Sequence, residues 1–229
     1  MSVAQIKRAF SLIRLYGFKI HSHLMVNLLG ATPEADKQDF KTFVTDPGFL
    51  PDEIKLYPCA LVSGTQLVQK YREGTWQPYT KDTLVDVLVQ DVLNTPPYVR
   101  ISRMIRDISA TDILVGNKHT NLRQMVEQEL AAEDVASRVQ EIRFREITQQ
   151  QVRADELTLQ DFAYTTAVSN EHFLQWVTTD NKIAGFCRLS LPHWDKLTSG
   201  TCDVSVDELL VQPGQAMIRE LHVYGQALS

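Results

Sequence analysis

The sequence predicts an α/β fold that changes to antiparallel β structure towards the C-terminus. Three observations carry this. Over the first 135 residues, segments of helical periodicity alternate with short β-branched or alternating segments, the pattern of a parallel sheet or barrel. Beyond about residue 160, short segments of two-residue alternation follow one another instead. The composition, 44% hydrophobic and 22% charged over 229 residues, is that of a globular chain able to bury roughly 70% of its unfolded surface, which excludes wholesale disorder and a disulfide scaffold.

The elements follow in order. Ile6, Phe10, Leu12 and Ile13 recur at helical spacing over 3–16, and Gly17 stands where a helix stop belongs. From Phe18 to Met25 the residues alternate, with Phe18, Ile20 and Leu24 on one face and Lys19, His21, His23 and Met25 on the other. A short helix is expected over 36–44, closed by Asp46-Pro-Gly, then a strand over 54–58 with Lys55 and Tyr57 on one face and Ile54 and Leu56 on the other. Helices are expected over 65–72 and 82–93, the second carrying an apolar stripe of Leu84, Val85, Leu88, Val89 and Val92 that Pro96-Pro97 ends. A β-branched run over 98–108 predicts a strand, the loop at Gly116-Asn-Lys a turn, and 121–134 a helix. Past a charged connection holding Gln149-Gln-Gln, strands are expected over 162–168, 172–177, 183–191 and 216–225, with a hairpin turn at Thr179-Asp-Asn-Lys.

Charge and cysteine content narrow the function classes. The balance of 23 Lys+Arg against 28 Asp+Glu gives a net charge of −5, which argues against a globally basic nucleic-acid binder and leaves room for a local basic patch. Three widely spaced cysteines, Cys59, Cys187 and Cys202, suit a reducing compartment, and no stretch approaches the ~18 apolar residues of a membrane span. A cytoplasmic protein without membrane partners is the expectation.

Three sets of residues carry potential chemistry. His21-Ser-His23 projects two imidazoles to one side of a strand, the start of a metal site, although two neighbouring ligands do not close one and a structural role is the alternative. Lys55 and Tyr57 would face a barrel lumen, where a lysine meets either an anionic ligand or a buried partner. Arg100 and Arg106 share one strand face, while Arg103 joins Val99, Ile101 and Ile105 on the apolar side. With Arg123 they form a locally basic middle segment, read either as a solvated face or as a phosphate-binding one.

Four segments then resemble, in order, the signatures of one family: Phe49-Leu-Pro-Asp-Glu-Ile-Lys-Leu-Tyr-Pro, Arg100-Ile-Ser-Arg-Met-Ile-Arg-Asp-Ile, Asn121-Leu-Arg and Ile218-Arg-Glu-Leu-His-Val-Tyr-Gly. The chain resembles the elongator catalytic subunit family, radical-SAM tRNA uridine(34) acetyltransferases also called tRNA carboxymethyluridine synthases. The resemblance implies the C-terminal half of a radical-SAM partial TIM-type barrel over 1–135, a linker over 136–160, and the first β-strands of a GNAT-type acetyltransferase domain over 161–229. It implies a [4Fe-4S] cluster, S-adenosylmethionine and acetyl-CoA as cofactors, tRNA as partner, and an acetyl-derived radical that adds to uridine C5. By the same resemblance His23, Lys55 and Tyr57 belong to the S-adenosylmethionine side, Glu220, His222 and Tyr224 to the acetyl-CoA side, and Arg100, Arg103, Arg106 and Arg123 to tRNA.

The departures from the family pattern shape the expectation for this chain. The cluster needs three closely spaced cysteine thiolates, and none are so arranged; the acetyl-CoA pyrophosphate loop of the family would follow the last strand. Val139, Glu141 and Phe144 stand where many members carry zinc-binding cysteines, so no metal is expected, and His23 and Met25 match the family while His21 and Val26-Asn-Leu-Leu do not. The resulting expectation is a truncated or split member, inactive alone, that needs an N-terminal fragment or other elongator subunits. The alternative is a non-catalytic tRNA-binding or assembly protein; a metal-dependent hydrolase built on His21 and His23 stands third.

Overall fold

The structure is a computed structural model and describes residues 1–105, 108–109, 111–117, 121–148, 152–200, 204, 206 and 209–225. In chain order the elements are α1 (Val3–Leu15), β1 (His21–Val26), α2 (Pro33–Thr45), β2 (Glu53–Pro58), β3 (Leu61–Val62), α3 (Leu67–Arg72) and α4 (Lys81–Leu93). They continue with β4 (Arg100–Arg103), β5 (Ile113–Val115), α5 (Leu122–Glu129), α6 (Glu133–Ala136), α7 (Ile142–Arg145), a 3-10 turn (Ala154–Glu156), β6 (Thr158–Thr165), β7 (Ser169–Val177), β8 (Ile183–Pro192), α8 (Trp194–Thr198) and β9 (Met217–Val223).

They form two compact units interleaved along the chain, one of residues 21–44 and 53–144, the other of residues 1–20, 45–52 and 145–229.

In the first unit, β1, β2 and β4 make a parallel sheet in the order β1-β2-β4. One face is dry: Ile54, Leu56 and Ile101 are buried, as are Phe40 and Val44 of α2 and Val87, Leu88 and Val92 of α4 in the same unit. Such a sheet needs helical crossovers between its strands, and the segment holding α2 supplies one between β1 and β2. A short antiparallel pair, β3 with β5, completes the unit, two elements too short for a sequence pattern to reveal.

Three expectations are corrected here. The strand expected from Phe18 begins at His21, because Gly17 and Phe18 close α1: the Phe18 N–H donates to Ile13 O at 3.0 Å and the Gly17 N–H to Arg14 O at 2.9 Å, the bonds of a left-handed helix stop. The strand expected over 98–108 shortens to Arg100–Arg103. Within it, Ile101 pairs with Ile54 but Arg103 with Lys55, so Ser102 is an extra residue that re-aims the strand. Arg103 leaves the apolar side expected for it and is exposed on the Lys55 face.

In the second unit, β6 to β9 form one antiparallel sheet in sequential order, as the alternation predicted. The β7–β8 turn is held by the Thr178 N–H donating to Lys182 O at 2.9 Å, with Asn181 at φ +63°. Helix α1 starts with a capping box in which Ser2 Oγ accepts from the Gln5 N–H and Gln5 Oε1 from the Ser2 N–H. Its Leu15 joins a core with Val168, Leu197, Val204 and Leu209.

Candidate functional site

The open face of the parallel sheet gathers the polar residues of the first unit. Parallel register puts His21, Glu53 and Arg100 in one row and His23, Lys55 and Arg103 in the next, followed by Met25 beside Tyr57. The His21 and His23 rings lie 5.5 Å apart, and His23 meets Tyr57 edge-on at 5.6 Å. His21 Nε2 is 3.6 Å from Glu53 Oε1. Tyr57 is buried, Lys55 half-buried and the histidines exposed, so the face offers cations and an aromatic surface suited to an anionic ligand with a planar part.

At the far side of this sheet the edge of β4 is sealed by side chains. The buried Glu141 carboxylate accepts the Ile101 N–H at 2.6 Å and the Phe144 N–H at 2.8 Å. Arg123 donates to Ile101 O at 2.6 Å, to Glu127 at 2.6 Å and to Glu141 at 3.1 Å, and Arg143 donates to Ser102 O. Side chains thus satisfy both backbone groups of Ile101 on an edge strand. Arg123 is committed within the unit, which its place in a basic segment did not reveal.

The C-terminal end of β1 is fixed by Asn27, buried at φ +62°. Its N–H donates to Asp36 Oδ2 at 2.7 Å, its carbonyl accepts Trp76 Nε1–H at 2.8 Å, and its amide oxygen accepts the Tyr79 N–H at 2.9 Å. Burial, and then its hydrogen bond to Asp36, raises the Tyr79 hydroxyl above its usual range. In the same unit burial and the Asp36 charge push the Asp91 carboxyl up to about 8 against the opposing charge of Lys37, and its Oδ2 is buried with no hydrogen-bond partner.

In the second unit a buried ionic network ties three chain segments together. Arg219 Nη1 and Nη2 each donate to a separate oxygen of Asp52 at 2.8 Å, and its Nε–H donates to Glu171 at 2.9 Å. Asp52 also accepts the Ile20 N–H at 2.8 Å and lies 3.3 Å from Arg188. Arg14 reaches Glu171 at 3.7 Å and Leu50 O at 2.6 Å, and Ser169 and Ser190 close on the other Glu171 oxygen. Burial pushes the Asp52 carboxyl up, but the charges of Arg219 and Arg188 outweigh it and hold the group well below the usual carboxylate range.

Beside the network, Arg188 lies over the Phe173 and Phe186 rings at 5.0 and 5.1 Å and donates to Glu220 at 2.8 Å. Lys19 takes the other Glu220 oxygen at 2.9 Å. His222 stacks on Phe186 at 5.6 Å and 14°, and its ring is 4.3 Å from that of Tyr224. Glu220 therefore neutralises cations, while exposed His222 and half-buried Tyr224 present an aromatic surface.

Comparison with known proteins decides what these units are. The family model for the Radical_SAM C-terminal domain matches residues 51–132. A tRNA uridine(34) acetyltransferase of Dehalococcoides mccartyi is 36% identical over 230 residues, 99% of this chain and 48% of that protein. One from Methanocaldococcus infernus is 30% identical over 231 residues, 98% and 41% of the two chains, and Elongator complex protein 3 of Homo sapiens is 28% identical over 232 residues, 99% and 40%. The solved structure of the archaeal Methanocaldococcus infernus Elp3 with an N-terminus deletion superposes with a TM-score of 0.86 at 28% identity, covering 98% of this chain and 51% of that one.

The chain belongs to the elongator catalytic subunit family. It spans about half the length, or less, of these elongator relatives. Their resemblance places the radical-SAM C-terminal fold in the parallel-sheet unit. Within the elongator signatures, the network pairs Asp52 of Pro51-Asp52-Glu53 with Arg219 of Arg219-Glu220, a partnership that the motifs contained but linear reading did not reveal. Its further members Arg14, Glu171 and Arg188 carried no sequence signal.

The expected residues fall as follows. The register puts His23, Lys55, Tyr57, Arg100 and Arg103 on one sheet face. Arg123 braces β4, Glu220, His222 and Tyr224 lie on or directly after β9, and Arg106 lies outside the described residues. An iron–sulfur cluster does not fit these donors: Cys59 and Cys187 belong to different units with thiols pushed up by burial, and Cys202 lies outside the described residues. No group of three or more His, Cys, Asp and Glu able to hold a metal occurs among the described residues, and no helix among them is long and apolar enough to cross a membrane.

Proposed function

We propose that this chain forms part of a tRNA uridine(34) acetyltransferase, supplying the C-terminal part of the radical-SAM barrel over 1–135, a linker over 136–160 and the opening strands of a GNAT-type acetyltransferase domain over 161–229. The observation that carries the reading is likeness along 99% of the chain, at 36% identity, to a protein of that name. In this proposal tRNA is the substrate, acetyl-CoA the acyl donor and the cytoplasm the setting. His23 and Lys55 with Tyr57 face S-adenosylmethionine through their polar groups and aromatic ring, and His222 and Tyr224 with Phe186 line the acetyl-CoA side. Glu220 sets the charge of Arg188 and Lys19 there.

Arg100 and Arg103 meet tRNA phosphate, and Arg123 acts on tRNA only through the strand it braces. S-adenosylmethionine with a reduced cluster supplies radical chemistry when bound, and because the cysteines of this chain do not form a cluster site, turnover requires a cluster-bearing polypeptide, another elongator subunit or N-terminal fragment. A non-catalytic tRNA-binding role is the second reading, favoured by the same cysteine arrangement.

The test has two parts. Filter binding of the purified chain to unmodified tRNA between about 50 and 200 mM salt should show the steep loss of affinity of a phosphate-binding surface. Acetyl-CoA hydrolysis stimulated by tRNA should require addition of the cluster-bearing half of a family member. Hydrolysis by the chain alone refutes the requirement for a partner; absence of tRNA binding at low salt refutes the reading as a whole.

A further inference from the structure

The apolar stripe that the sequence shows along α4 is two stripes in the structure. Leu84, Leu88 and Val92 are buried together with Val87, whereas Val85, Val89 and Leu93 are only half-buried and follow one another a turn apart on a second face. These three floor a half-open groove of about 560 Å³, whose other wall holds Met125 of α5 and Val135 of α6. The inner stripe is enough to seat α4 in its own unit, so a second apolar stripe left open is a surface for something else. The groove is built from residues in mid-sequence, between the helix that precedes β4 and those that follow it, all within the parallel-sheet unit. A parallel sheet grows at its strand edges, so this is not where a further strand of it would lie.

Charges of both signs rim the floor. Lys81, Asp82, Glu129 and Arg138 line the groove and are exposed. Among the described residues, none of the four makes a side-chain hydrogen bond or ion pair. Asp86 on the same rim differs, because Lys37 takes it at 2.6 Å.

We infer that the groove between α4 and α5 docks an amphipathic helix of a partner protein. Two properties single out such a helix. Val85, Val89 and Leu93 form a ridge of four-residue spacing about 12 Å long, and ridges of this kind interdigitate with the same ridge of a second helix in the commonest helix packing of globular proteins. The partner therefore presents apolar residues at i, i+4 and i+7 or i+8. The rim supplies the other property. An acyl chain or a planar apolar ligand would leave all four charges without partners, and a nucleic acid would meet Asp82 and Glu129 with like charge. A helix with lysine and glutamate on the flanks of its apolar stripe answers both signs. The inference uses no residue assigned to tRNA, S-adenosylmethionine or acetyl-CoA, so it stands apart from the catalytic reading.

The probe is a fluorescent helical peptide of about 18 residues, with leucine at i, i+4 and i+7 and both lysine and glutamate on its flanks. Fluorescence anisotropy with the 229-residue chain should give a dissociation constant of roughly 10–100 µM, that of a small interface. A peptide of the same composition with scrambled leucine spacing should bind roughly tenfold more weakly, and so should the parent peptide to Val85→Lys with Val89→Lys. That double variant should keep the parent's far-UV circular dichroism, and Leu114→Glu, at an exposed apolar position elsewhere in the same unit, should bind like the parent. Asp82→Lys with Glu129→Lys should weaken the mixed-charge peptide severalfold and favour one whose flanks carry glutamate alone. N-ethylmaleimide labelling of a Val89→Cys variant should slow in the presence of the peptide and keep its rate when the cluster-bearing half of a family member is added. Absence of peptide binding, equal binding of the scrambled peptide, undiminished binding by the double valine variant or an unchanged charge preference would each overturn the inference. Protection of position 89 by the cluster-bearing half would overturn it too, and would assign the groove to the rest of the enzyme.

Discussion

Asp91 is a carboxyl whose burial should be visible in the pH dependence of stability. It lies on α4, 1% exposed, with one oxygen unpartnered and a pKa pushed from 3.8 to about 8. The folded state therefore holds a proton that the unfolded chain releases near pH 4. Stability from this proton is fully present below pH 3.8 and is lost as pH rises through about 8. At ~1.4 kcal/mol per unit, a shift of about four units corresponds to an upper bound of about 6 kcal/mol, and about 4 kcal/mol of that is already lost at pH 7.

Asp91→Asn keeps the shape and removes the titration. Urea unfolding followed through the buried Trp76 of the same unit, run from pH 5 to pH 8, should show the parent losing several kcal/mol relative to the variant as pH rises. The variant should be the more stable protein at pH 8. Parallel curves at all pH values would mean that Asp91 titrates as in water, and the account of its burial would be wrong.

Further outcomes follow from other sites. Arg219→Met leaves Asp52 buried without its bidentate partner and should destabilise the second unit by about 3–5 kcal/mol in urea unfolding; Asp52→Asn together with it should recover part of the loss. Glu141→Gln takes the charge from a carboxylate that accepts two short backbone N–H bonds, and should lose about 1.5–3 kcal/mol, with faster amide exchange at Ile101. Gly17→Ala meets both a φ of +80° and the Met217 Sδ, which stands where the new Cβ would go; a loss of at least about 1 kcal/mol in thermal unfolding is expected, partly relieved by Met217→Ala.

Local signals were legible in the sequence. The stop at Gly17, the helix on Leu84 to Val92 and the β7–β8 turn at Asn181 each depend on residues within a few positions, and they form near where the sequence placed them. The placement of Lys55 on the strand face opposite the buried Ile54 and Leu56 was legible from alternation, whereas the burial of Tyr57 on the Lys55 face was not. Arg103 was misplaced because one extra residue, Ser102, reverses a strand face without altering composition. Arg123 looked like one more arginine in a basic segment, and only the return of Glu141 to β4, 18 residues later, turns it into a brace. Asp52 lay in a motif read for its neighbours, and nothing local distinguishes a solvated aspartate from one that two arginines enclose.

The Asp52–Arg219 pair spans 167 residues of chain. During synthesis at about 5–20 residues per second, Asp52 emerges roughly 8–33 s before the guanidinium that neutralises it. Throughout that interval its carboxylate remains hydrated, and α1 lacks the Val168 and Leu197 against which Leu15 packs. The parallel-sheet unit, complete by Phe144, can close first. Residues 1–20 are thus among the last of these elements to find their place, and a nascent chain stalled before Arg219 should be cut by protease within α1 while the parallel-sheet unit resists.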